Sequence, residues 1–269
     1  MFLPIVNVAS PINWASSLNR GLVFLSRYFP AISATPATHR NHVGRTYGTI
    51  NGSGLGVGSC RWLTGSMSLT NTAGASSESY GTYLDSFVST ALTISVIYRP
   101  TGLSGHQRMV AENNNAGTYP FTLGTLNANA QAYSTRIGNG TSLSGTSTLS
   151  VGETYHLAFT IGSVVGAALY VNGKQESTTT YNGSTLASGI TLHIGSDYQT
   201  SLYGMNGALE ECRIYNREMS AAEVNQLYLA AAKGHQSEYN WVRTSGNMVA
   251  PAAAAGGSSG NLLLLGCGA

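Results

Sequence analysis

Three stretches of the chain place an apolar side chain at every second position. Successive side chains of a strand point to opposite faces, so this period of two predicts strands with one core face. Pro100 ends the first stretch, as expected for a residue that cannot donate a ladder hydrogen bond. The apolar positions are Leu92, Ile94, Val96 and Tyr98, then Tyr155, Leu157, Phe159 and Ile161, and finally Ile190, Leu192 and Ile194.

Asn-Gly pairs separate many of the apolar runs and predict tight turns. Four such pairs lie at 139–140, 172–173, 182–183 and 206–207. The stretch ALYVNGKQE, 168–176, is typical of a hairpin, because Asn-Gly populates the positive φ angles of a type I′ turn. Many short strands with frequent turns and almost no helix predict a β-sandwich or a β-barrel.

One helix is predicted near the end of the chain, beginning at Ser220. Glu223 follows three residues later, which completes a capping box, and Met219 with Val224 forms a hydrophobic staple. Gly234 is suited to the C-terminal cap. The apolar stripe of this helix consists of Val224, Leu227 and Tyr228.

Two adjacent glutamates, Glu210 and Glu211, precede this helix and raise the question of a glycosidase. A retaining glycosidase needs two carboxyl groups about 5–5.5 Å apart. Consecutive strand residues face opposite ways, and no acid stands two positions from either glutamate. Arg213 shares the face of Glu211, so the spacing predicts a structural ion pair. We therefore expect no catalytic residue and no enzyme.

Composition fits one large β domain or two small ones. Of 269 residues, 42% are apolar, enough for a sizeable core, and only 9% are charged, against about 25% in typical domains. No acid precedes Glu78, whereas five arginines do. They are too sparse for a nucleic-acid-binding arm. They fit either contact with an acidic neighbouring subunit or solvated loops; the arginines are Arg20, Arg27, Arg40, Arg45 and Arg61.

Targeting and redox signals are weak. The three cysteines form no CxxC motif, and Cys212 falls in a strand pattern, where it is expected to be a small buried residue. The apolar start, 1–10, lacks the basic region of a signal peptide. No apolar run approaches the roughly 20 residues of a membrane span, so no membrane partner is expected.

The segment GALEECRIYNREMSAAEVNQLY, 207–228, resembles the closing strand and helix of laminin G-like domains of the concanavalin A-like superfamily. Upstream segments resemble the same family: GLVFLSRYFP at 21–30, ALTISVIYRPTG at 91–102 and YHLAFTIGSVVGAALYVNGKQ at 155–175. The resemblance implies an all-β, antiparallel, two-sheet jelly-roll sandwich with one short C-terminal helix and extended terminal arms. It places the domain at 21–233, between an N-terminal arm at 1–20 and a C-terminal arm at 234–269.

A narrower resemblance concerns INWASSLNRGLVFLSRYFP, 12–30, which is similar to the start of laminin G-like proteins encoded by tailed phages. The chain departs from the family pattern where an acidic dipeptide usually stands, since Glu78 and Asp85 are far apart. This departure argues against the calcium site of some family members.

Two loops rich in tyrosine and amides, AENNNAGTYPF at 111–121 and GSDYQTSLYG at 195–204, are candidate glycan-binding segments. The alternative explanations are ordinary loop polarity and contact with a neighbouring subunit. The candidate ligand-binding residues are Asn113, Asn114, Asn115, Tyr119, Tyr198 and Tyr203.

No metal site or cofactor is expected. Calcium favours several carboxylates, and the chain has only two aspartates, Asp85 and Asp197. His39 and His42 have the spacing HxxH but no third acidic or cysteine ligand nearby. NGSGLGVGSC, 51–60, lacks the lysine of a phosphate-binding P-loop.

The terminal arms carry large apolar side chains that an isolated tail would expose. We expect them to dock on another chain. Together with these arms, the resemblance to phage-encoded proteins implies the first hypothesis, a phage virion structural protein. It would be a capsid decoration or other particle-surface protein, located in the virion and contacting capsid proteins or neighbouring copies in a homo-oligomer or lattice. The alternative is a carbohydrate-binding module or host-receptor adhesin, and a glycoside hydrolase ranks third. The candidate docking residues are Trp14, Trp241, Leu262, Leu263, Leu264 and Leu265.

Overall fold

The structure, a computed structural model, describes sixteen strands, two short 3-10 helices and one α-helix. The described residues are 12, 15–27, 38–40, 43, 47–51, 55–59, 67–71, 77–79, 83–86, 90–113, 121–126, 130–135, 142–162, 166–180, 189–196 and 203–232. The 3-10 helices are Ser17–Asn19 and Tyr83–Ser86, and the α-helix, α1, is Ala221–Ala232.

The strands are short, as the frequent turn signals predict. In chain order they are β1 (Leu22–Arg27), β2 (Thr38–Arg40), β3 (Tyr47–Asn51), β4 (Leu55–Ser59), β5 (Met67–Asn71), β6 (Ser77–Ser79), β7 (Leu92–Pro100), β8 (Gln107–Asn113), β9 (Phe121–Leu126), β10 (Gln131–Thr135), β11 (Ser142–Thr148), β12 (Tyr155–Gly162), β13 (Gly166–Val171), β14 (Lys174–Thr179), β15 (Thr191–Ile194) and β16 (Gly207–Tyr215).

These strands form two antiparallel sheets, which confirms the predicted sandwich. The first sheet has the order β14-β13-β12-β7-β16-β5-β4, and β1 also pairs with β16. The second sheet has the order β11-β10-β9-β8-β15-β6-β3-β2. The fold is all-β except for one short helix near the C-terminal end of the described chain, as the sequence predicts.

Strand β16 organises the first sheet. One of its edges pairs with β7 from Gly207 to Tyr215. Its other edge is shared, because β5 pairs with the first three residues and β1 pairs with residues from Glu211 onward. All nine residues of β16 are buried. The N-terminal strand is therefore held in the sandwich by the last strand of the described chain.

The main core fills the space between the two sheets, and the period-two runs supply much of it. Each large side chain that is fully buried contributes roughly 1.5–3 kcal/mol. Tyr155 packs at the margin of this core and is partly buried. Cys212 lies inside it, as predicted, and burial raises the pKa of its thiol. The fully enclosed members from the runs are Leu92, Ile94, Val96, Tyr98, Leu157, Phe159, Ile161, Leu192 and Ile194.

Helix α1 covers the outer face of the first sheet, where its stripe residues Val224 and Leu227 form a second apolar cluster with Tyr170 and Tyr215. The capping box is confirmed by two reciprocal hydrogen bonds. The Ser220 backbone N–H donates to Glu223 at 2.9 Å, and the Glu223 N–H donates to the Ser220 hydroxyl at 3.3 Å. Burial raises the pKa of Glu223, but the bonds from Ser220 and the nearby Arg217 outweigh it and leave that pKa below its ordinary value.

The predicted hairpin is also confirmed. Asn172 and Gly173 both adopt positive φ, at 49° and 75°, between β13 and β14. The pair at 206–207 does not form a hairpin. The Asn206 carbonyl accepts backbone bonds from Thr101 and Gly102, and Gly207 begins β16. The pairs at 139–140 and 182–183 lie outside the described residues.

A glutamate closes one side of the sandwich by joining two edge strands. Glu176 on β14, in the first sheet, accepts backbone hydrogen bonds from Thr146 at 2.8 Å and Ser147 at 3.1 Å on β11, in the second sheet. It also accepts a bond from the Ser147 hydroxyl. The carboxylate therefore satisfies edge amides that would otherwise have no ladder partner.

Replacing Glu176 with Ala is expected to lower the free energy of unfolding by about 1–2 kcal/mol, because hydrogen bonds to a charged acceptor are lost. Urea denaturation measures this loss. Lys174→Ala removes a charge from the exposed start of the same strand and serves as the control. Equal stabilities of the two variants would contradict the proposed closure of the sandwich by Glu176.

Candidate functional site

Two of the six predicted ligand-binding residues, Asn113 and Tyr203, fall within the described residues. Asn114, Asn115, Tyr119 and Tyr198 lie outside them. The predicted docking residues Trp14, Trp241, Leu262, Leu263, Leu264 and Leu265 also lie outside. Predictions about docking by the arms therefore stay predictions.

The structure does not bring Asn113 and Tyr203 together. The Tyr203 carbonyl accepts a 2.8 Å hydrogen bond from the Arg108 backbone N–H near the start of β8. Asn113 is the last residue of the same strand. Five residues of an extended strand span roughly 17 Å, so these two residues do not contribute to one site.

Tyr203 lies in a row of three aromatic rings, with His106 in the middle and Tyr133 at the far end. The His106 ring lies 6.2 Å from the Tyr203 ring and 6.2 Å from the Tyr133 ring, measured between centroids. The Arg108 guanidinium carbon lies 4.2 Å from the centroid of the Tyr203 ring, a cation–π contact. His106 is exposed, and the other three side chains are partly exposed. We call these four residues the ring row.

The ring row lies on the outer face of the second sheet because of strand register. Arg108 on β8 and Tyr133 on β10 both pair with Gly124 on β9, and paired residues share a face. A Cβ added to Gly124 would lie 1.8 Å from the Gln107 carbonyl oxygen, so only glycine fits there. Strand β9 therefore contributes no side chain between the arginine and the tyrosine.

A buried hydrogen-bond network holds the backbone beneath the ring row. The Tyr98 hydroxyl lies 2.7 Å from Gln107 Oε1 and 3.0 Å from the Asn206 carbonyl oxygen. The Asn206 N–H donates to the same Gln107 oxygen at 2.8 Å, and Gln107 Nε2 donates to the Gly102 carbonyl at 2.8 Å. Burial raises the pKa of Tyr98 far above its ordinary value, so its hydroxyl keeps its proton. The network fixes the chain on both sides of His106 and next to Tyr203.

His193 on β15 lies on the same face of the second sheet as Arg108 and is buried. It pairs with Ala111 on β8, and Ala111 pairs with Thr122 on β9. His193 is only 3% exposed, and burial lowers its pKa to about 4. The folded protein therefore keeps this imidazole neutral at pH values where an unfolded chain would already bind a proton.

Acidification between pH of about 6.5 and 4 is expected to lower the stability of the domain. The unfolded histidine binds a proton near pH 6.5 and the folded His193 only near pH 4. Between these values the free energy of unfolding therefore falls by up to about 1.4 kcal/mol per pH unit. Denaturant unfolding at stepped pH measures the slope. His193→Gln removes the titrating group and is expected to flatten it. An unchanged slope in that variant would contradict the assignment.

The structure confirms the predicted pair between Glu211 and Arg213. Arg213 Nε lies 2.6 Å from Glu211 Oε1, and the second pair of atoms lies 3.3 Å apart, so the contact is bidentate. The side chains are 1% and 3% exposed. Asn19 from the first 3-10 helix and the Tyr215 hydroxyl also contact this guanidinium, at 3.4 and 3.5 Å. The pair is thus part of the packed outer layer of the first sheet.

Within the described ranges, no three or more His, Cys, Asp and Glu side chains gather as a metal site. In the same part of the chain, no helix has the length and apolarity needed to cross a bilayer.

Sequence comparison defines the class of protein. A laminin G family model, described as the concanavalin A-like lectin/glucanases superfamily, matches residues 71–225, which is more than half of the chain. The chain therefore belongs to this superfamily, as the motifs around 207–228 indicate. No curated protein sequence matches the chain.

Solved structures with the same fold include several carbohydrate-active proteins. The Trypanosoma rangeli sialidase in complex with sialic acid matches with a TM-score of 0.59 at 16% identity, over 78% of this chain and 33% of that one. Domain 4 of a GH43 extracellular arabinanase from Geobacillus stearothermophilus, in complex with arabinotriose, matches at 0.56 and 16%, over 77% and 98%. The binding domain of Paraclostridial Mosquitocidal Protein 1 matches at 0.57 and 16%, over 78% and 52%. The chain spans about a third of the length of the sialidases.

These structures overturn the prediction that the chain is not an enzyme, which is therefore wrong. The prediction rested on Glu210 and Glu211 pointing to opposite faces of a strand. That arrangement excludes only these two glutamates as a pair of catalytic carboxylates. The same fold occurs in chains of sialidases and in a domain of an arabinanase, at 13–16% identity. At that identity the likeness shows the fold alone. Neither the strand spacing nor the fold excludes an enzyme.

Three members of the ring row were not predicted from the sequence. His106 immediately precedes β8 and Arg108 is its second residue, a spacing of two that favours one face for both. Tyr133 lies in QAYST, 131–135, where its buried neighbours Ala132 and Ser134 occupy the opposite face. The signal was present, but it becomes visible only once the three strands are placed side by side.

Proposed function

We propose that this chain is a carbohydrate-binding module whose ligand lies on the ring row. The observation that carries the proposal is the line of Tyr133, His106 and Tyr203 on the outer face of the second sheet, in which His106 is exposed and the two tyrosines are partly exposed. Ring faces pack against the apolar faces of sugars, and a few fixed polar groups then orient the ligand.

Polar groups lie beside the rings at both ends of the row. The Tyr133 hydroxyl donates to the Ser142 hydroxyl of β11 at 3.2 Å, which brings two hydroxyl groups to one end of the row. Arg108 lies at the other end, over Tyr203. Because the buried network of Tyr98 and Gln107 supports the backbone, the site is formed before a ligand arrives, and little ordering is required on binding.

The comparisons support the proposal through proteins that share the fold. The arabinanase domain was solved with arabinotriose, and the chain covers 98% of it, so the likeness extends over a whole separate domain. A sialidase of similar fold was solved with sialic acid, and a third match is a domain described as a binding domain. These proteins support a carbohydrate as the class of ligand.

Replacing Tyr203 with Ala is expected to weaken glycan binding at least ten-fold, because the contact between the ring and the sugar is lost. A loss of about 1.4 kcal/mol of binding free energy corresponds to this factor of ten. A glycan array identifies the ligand, and titration calorimetry on the best binder measures the affinity. Tyr133→Ala is expected to behave alike. Tyr228→Ala removes a tyrosine from α1 on the opposite sheet and is the control. Failure of the intact chain to bind any glycan would overturn the proposal.

The role as a phage virion structural protein stays a prediction. It rests on the resemblance of 12–30 to phage proteins and on the apolar arms, most of whose residues lie outside the described ranges. Leu18 and Asn19, assigned to the N-terminal arm, are buried against the domain. The domain boundaries and the partners in a particle are likewise predictions, which copurification of the chain with intact particles would test.

A further inference from the structure

The three aromatic rings of the ring row are not coplanar. The plane of the His106 ring is inclined by 70° to that of Tyr203 and by 58° to that of Tyr133. Both centroid distances are 6.2 Å, which lies within the range in which aromatic rings interact as inclined pairs. The row is therefore stepped, and the faces of neighbouring rings point in different directions.

Contacts to other residues hold the two outer rings in these orientations. The Arg108 guanidinium carbon lies 4.2 Å from the centroid of the Tyr203 ring, so a turn of this ring would break the cation–π contact. The Tyr133 hydroxyl donates to the Ser142 hydroxyl at 3.2 Å and ties the far end of the row to β11. The inclination of the rings is therefore a fixed property of the surface that a ligand meets.

The row runs across the strands of the second sheet rather than along them. His106 immediately precedes β8, Tyr133 lies on β10, and β9 contributes Gly124 between these strands. Neighbouring strands lie roughly 4.8 Å apart, so the distance from β8 to β10 is roughly 10 Å and allows contact with more than one sugar unit. A ligand that contacts both tyrosines is accordingly an oligosaccharide.

Inclined rings discriminate between the shapes of oligosaccharides. A sugar packs its flat apolar face parallel to an aromatic ring. In a straight, ribbon-like glycan all the flat faces are parallel, so the chain cannot pack on His106 and on either tyrosine at the same time. In a bent or helical glycan, successive sugars are turned relative to one another and can follow the steps of the row.

We propose that the ring row selects bent oligosaccharides over straight ones and that His106 determines this selectivity. His106 has this role because its exposed ring is inclined to both of its neighbours. The inference rests on the proposed carbohydrate-binding function and adds the shape of the ligand.

The test uses the full chain and oligosaccharides that differ in shape but not in composition. Cellohexaose is a straight chain of glucose, whereas laminarihexaose and maltohexaose are bent chains of the same sugar. The straight β-linked and the bent α-linked mannohexaose form a second set. A glycan array that also contains linear oligomers of xylose, galactose and arabinose shows whether the strongest ligand is straight or bent.

The strongest ligand on the array is expected to be a bent oligosaccharide. In a set that binds, the straight member is expected to bind at least about ten-fold more weakly than the best bent member, because it loses a ring contact. Titration calorimetry measures both affinities.

His106→Ala removes the inclined ring and is expected to weaken binding of the strongest bent ligand about ten-fold, while the affinities for cellohexaose and β-linked mannohexaose stay within about two-fold. His106→Phe keeps a ring at the same position and is expected to retain the selectivity. Gln226→Ala changes an exposed residue of α1, which covers the first sheet, and is the control. Urea denaturation of each variant shows whether the fold is retained.

Each failure has a distinct meaning. A straight oligosaccharide as the strongest ligand, or equal affinity for straight and bent isomers, overturns the shape selectivity and leaves the carbohydrate-binding function in place. Equal loss of both affinities in His106→Ala overturns the role of His106. Loss of selectivity in His106→Phe as well assigns the effect to the imidazole nitrogens and contradicts the role of ring orientation. Binding to no glycan of any kind overturns the proposed function and this inference with it.

Discussion

Replacing Glu211 with Ala is expected to lower the free energy of unfolding by about 3–5 kcal/mol, because it removes the carboxylate that forms a bidentate ion pair with a buried arginine. The Arg213 side chain is 1% exposed and has a bidentate contact with this glutamate. Asn19 and Tyr215 contact the same guanidinium at longer distances and cannot neutralise it. Urea denaturation followed by circular dichroism measures the change.

The double variant Glu211→Met with Arg213→Met is the critical control. Replacing a buried ion pair by apolar side chains of similar volume is often neutral, so the double variant should recover most of the stability lost in the single one. If Glu211→Ala unfolds at the same urea concentration as the intact chain, the pair contributes nothing to the packed outer layer.

The second large effect is expected from Gly124→Ala, which should lower stability by about 3 kcal/mol and abolish glycan binding. The new methyl group would lie 1.8 Å from the Gln107 carbonyl oxygen, a main-chain atom that cannot rotate away. Strands β8 and β9 must separate where Gln107 supports the Tyr203 segment and where Arg108 begins its contact with the ring. Stability and binding are therefore lost together.

Gly152→Ala separates this steric effect from the conformational effect of adding a side chain. Gly152 has a φ of 84°, and nothing lies within 4 Å of an added Cβ, so the change costs only the strain of a left-handed residue, about 1–2 kcal/mol. Binding should be unchanged. Intact binding in Gly124→Ala would show that the glycine at this position of β9 is not needed for the ligand.

The sequence predicts the parts of the fold that depend on neighbouring residues. Alternation over Leu92 to Tyr98 predicts the strand and the face that lies in the main core, because the period of a strand is local. It does not predict that the opposite face is buried as well. Ser220 and Glu223 predict the helix start for the same reason, since both halves of a capping box lie within one turn. Asn172 and Gly173 predict a hairpin from two residues.

The candidate site depends on distant residues and was predicted only in part. Tyr203 was predicted because it lies in a tyrosine-rich loop. Arg108 and Tyr133 share a face only through the register of β8, β9 and β10, and that register includes a bulge between Arg108 and Val110. A bulge shifts which side chains face outward, and the amino-acid pattern alone does not reveal it.

Strand β16 pairs with both β1 and β5 along one edge, and this pairing determines when the chain can fold during its synthesis. Arg213 and Asn19, which touch in the finished sandwich, are separated by 194 positions in the sequence. On a ribosome the first strand emerges long before the strand that receives it. Until residues 207–215 have been synthesised, β1, β5 and β7 each lack a neighbour, and their unpaired edges are open to other nascent chains. Folding should therefore be slow and late, and fragments that stop before β16 should aggregate rather than form a smaller sandwich.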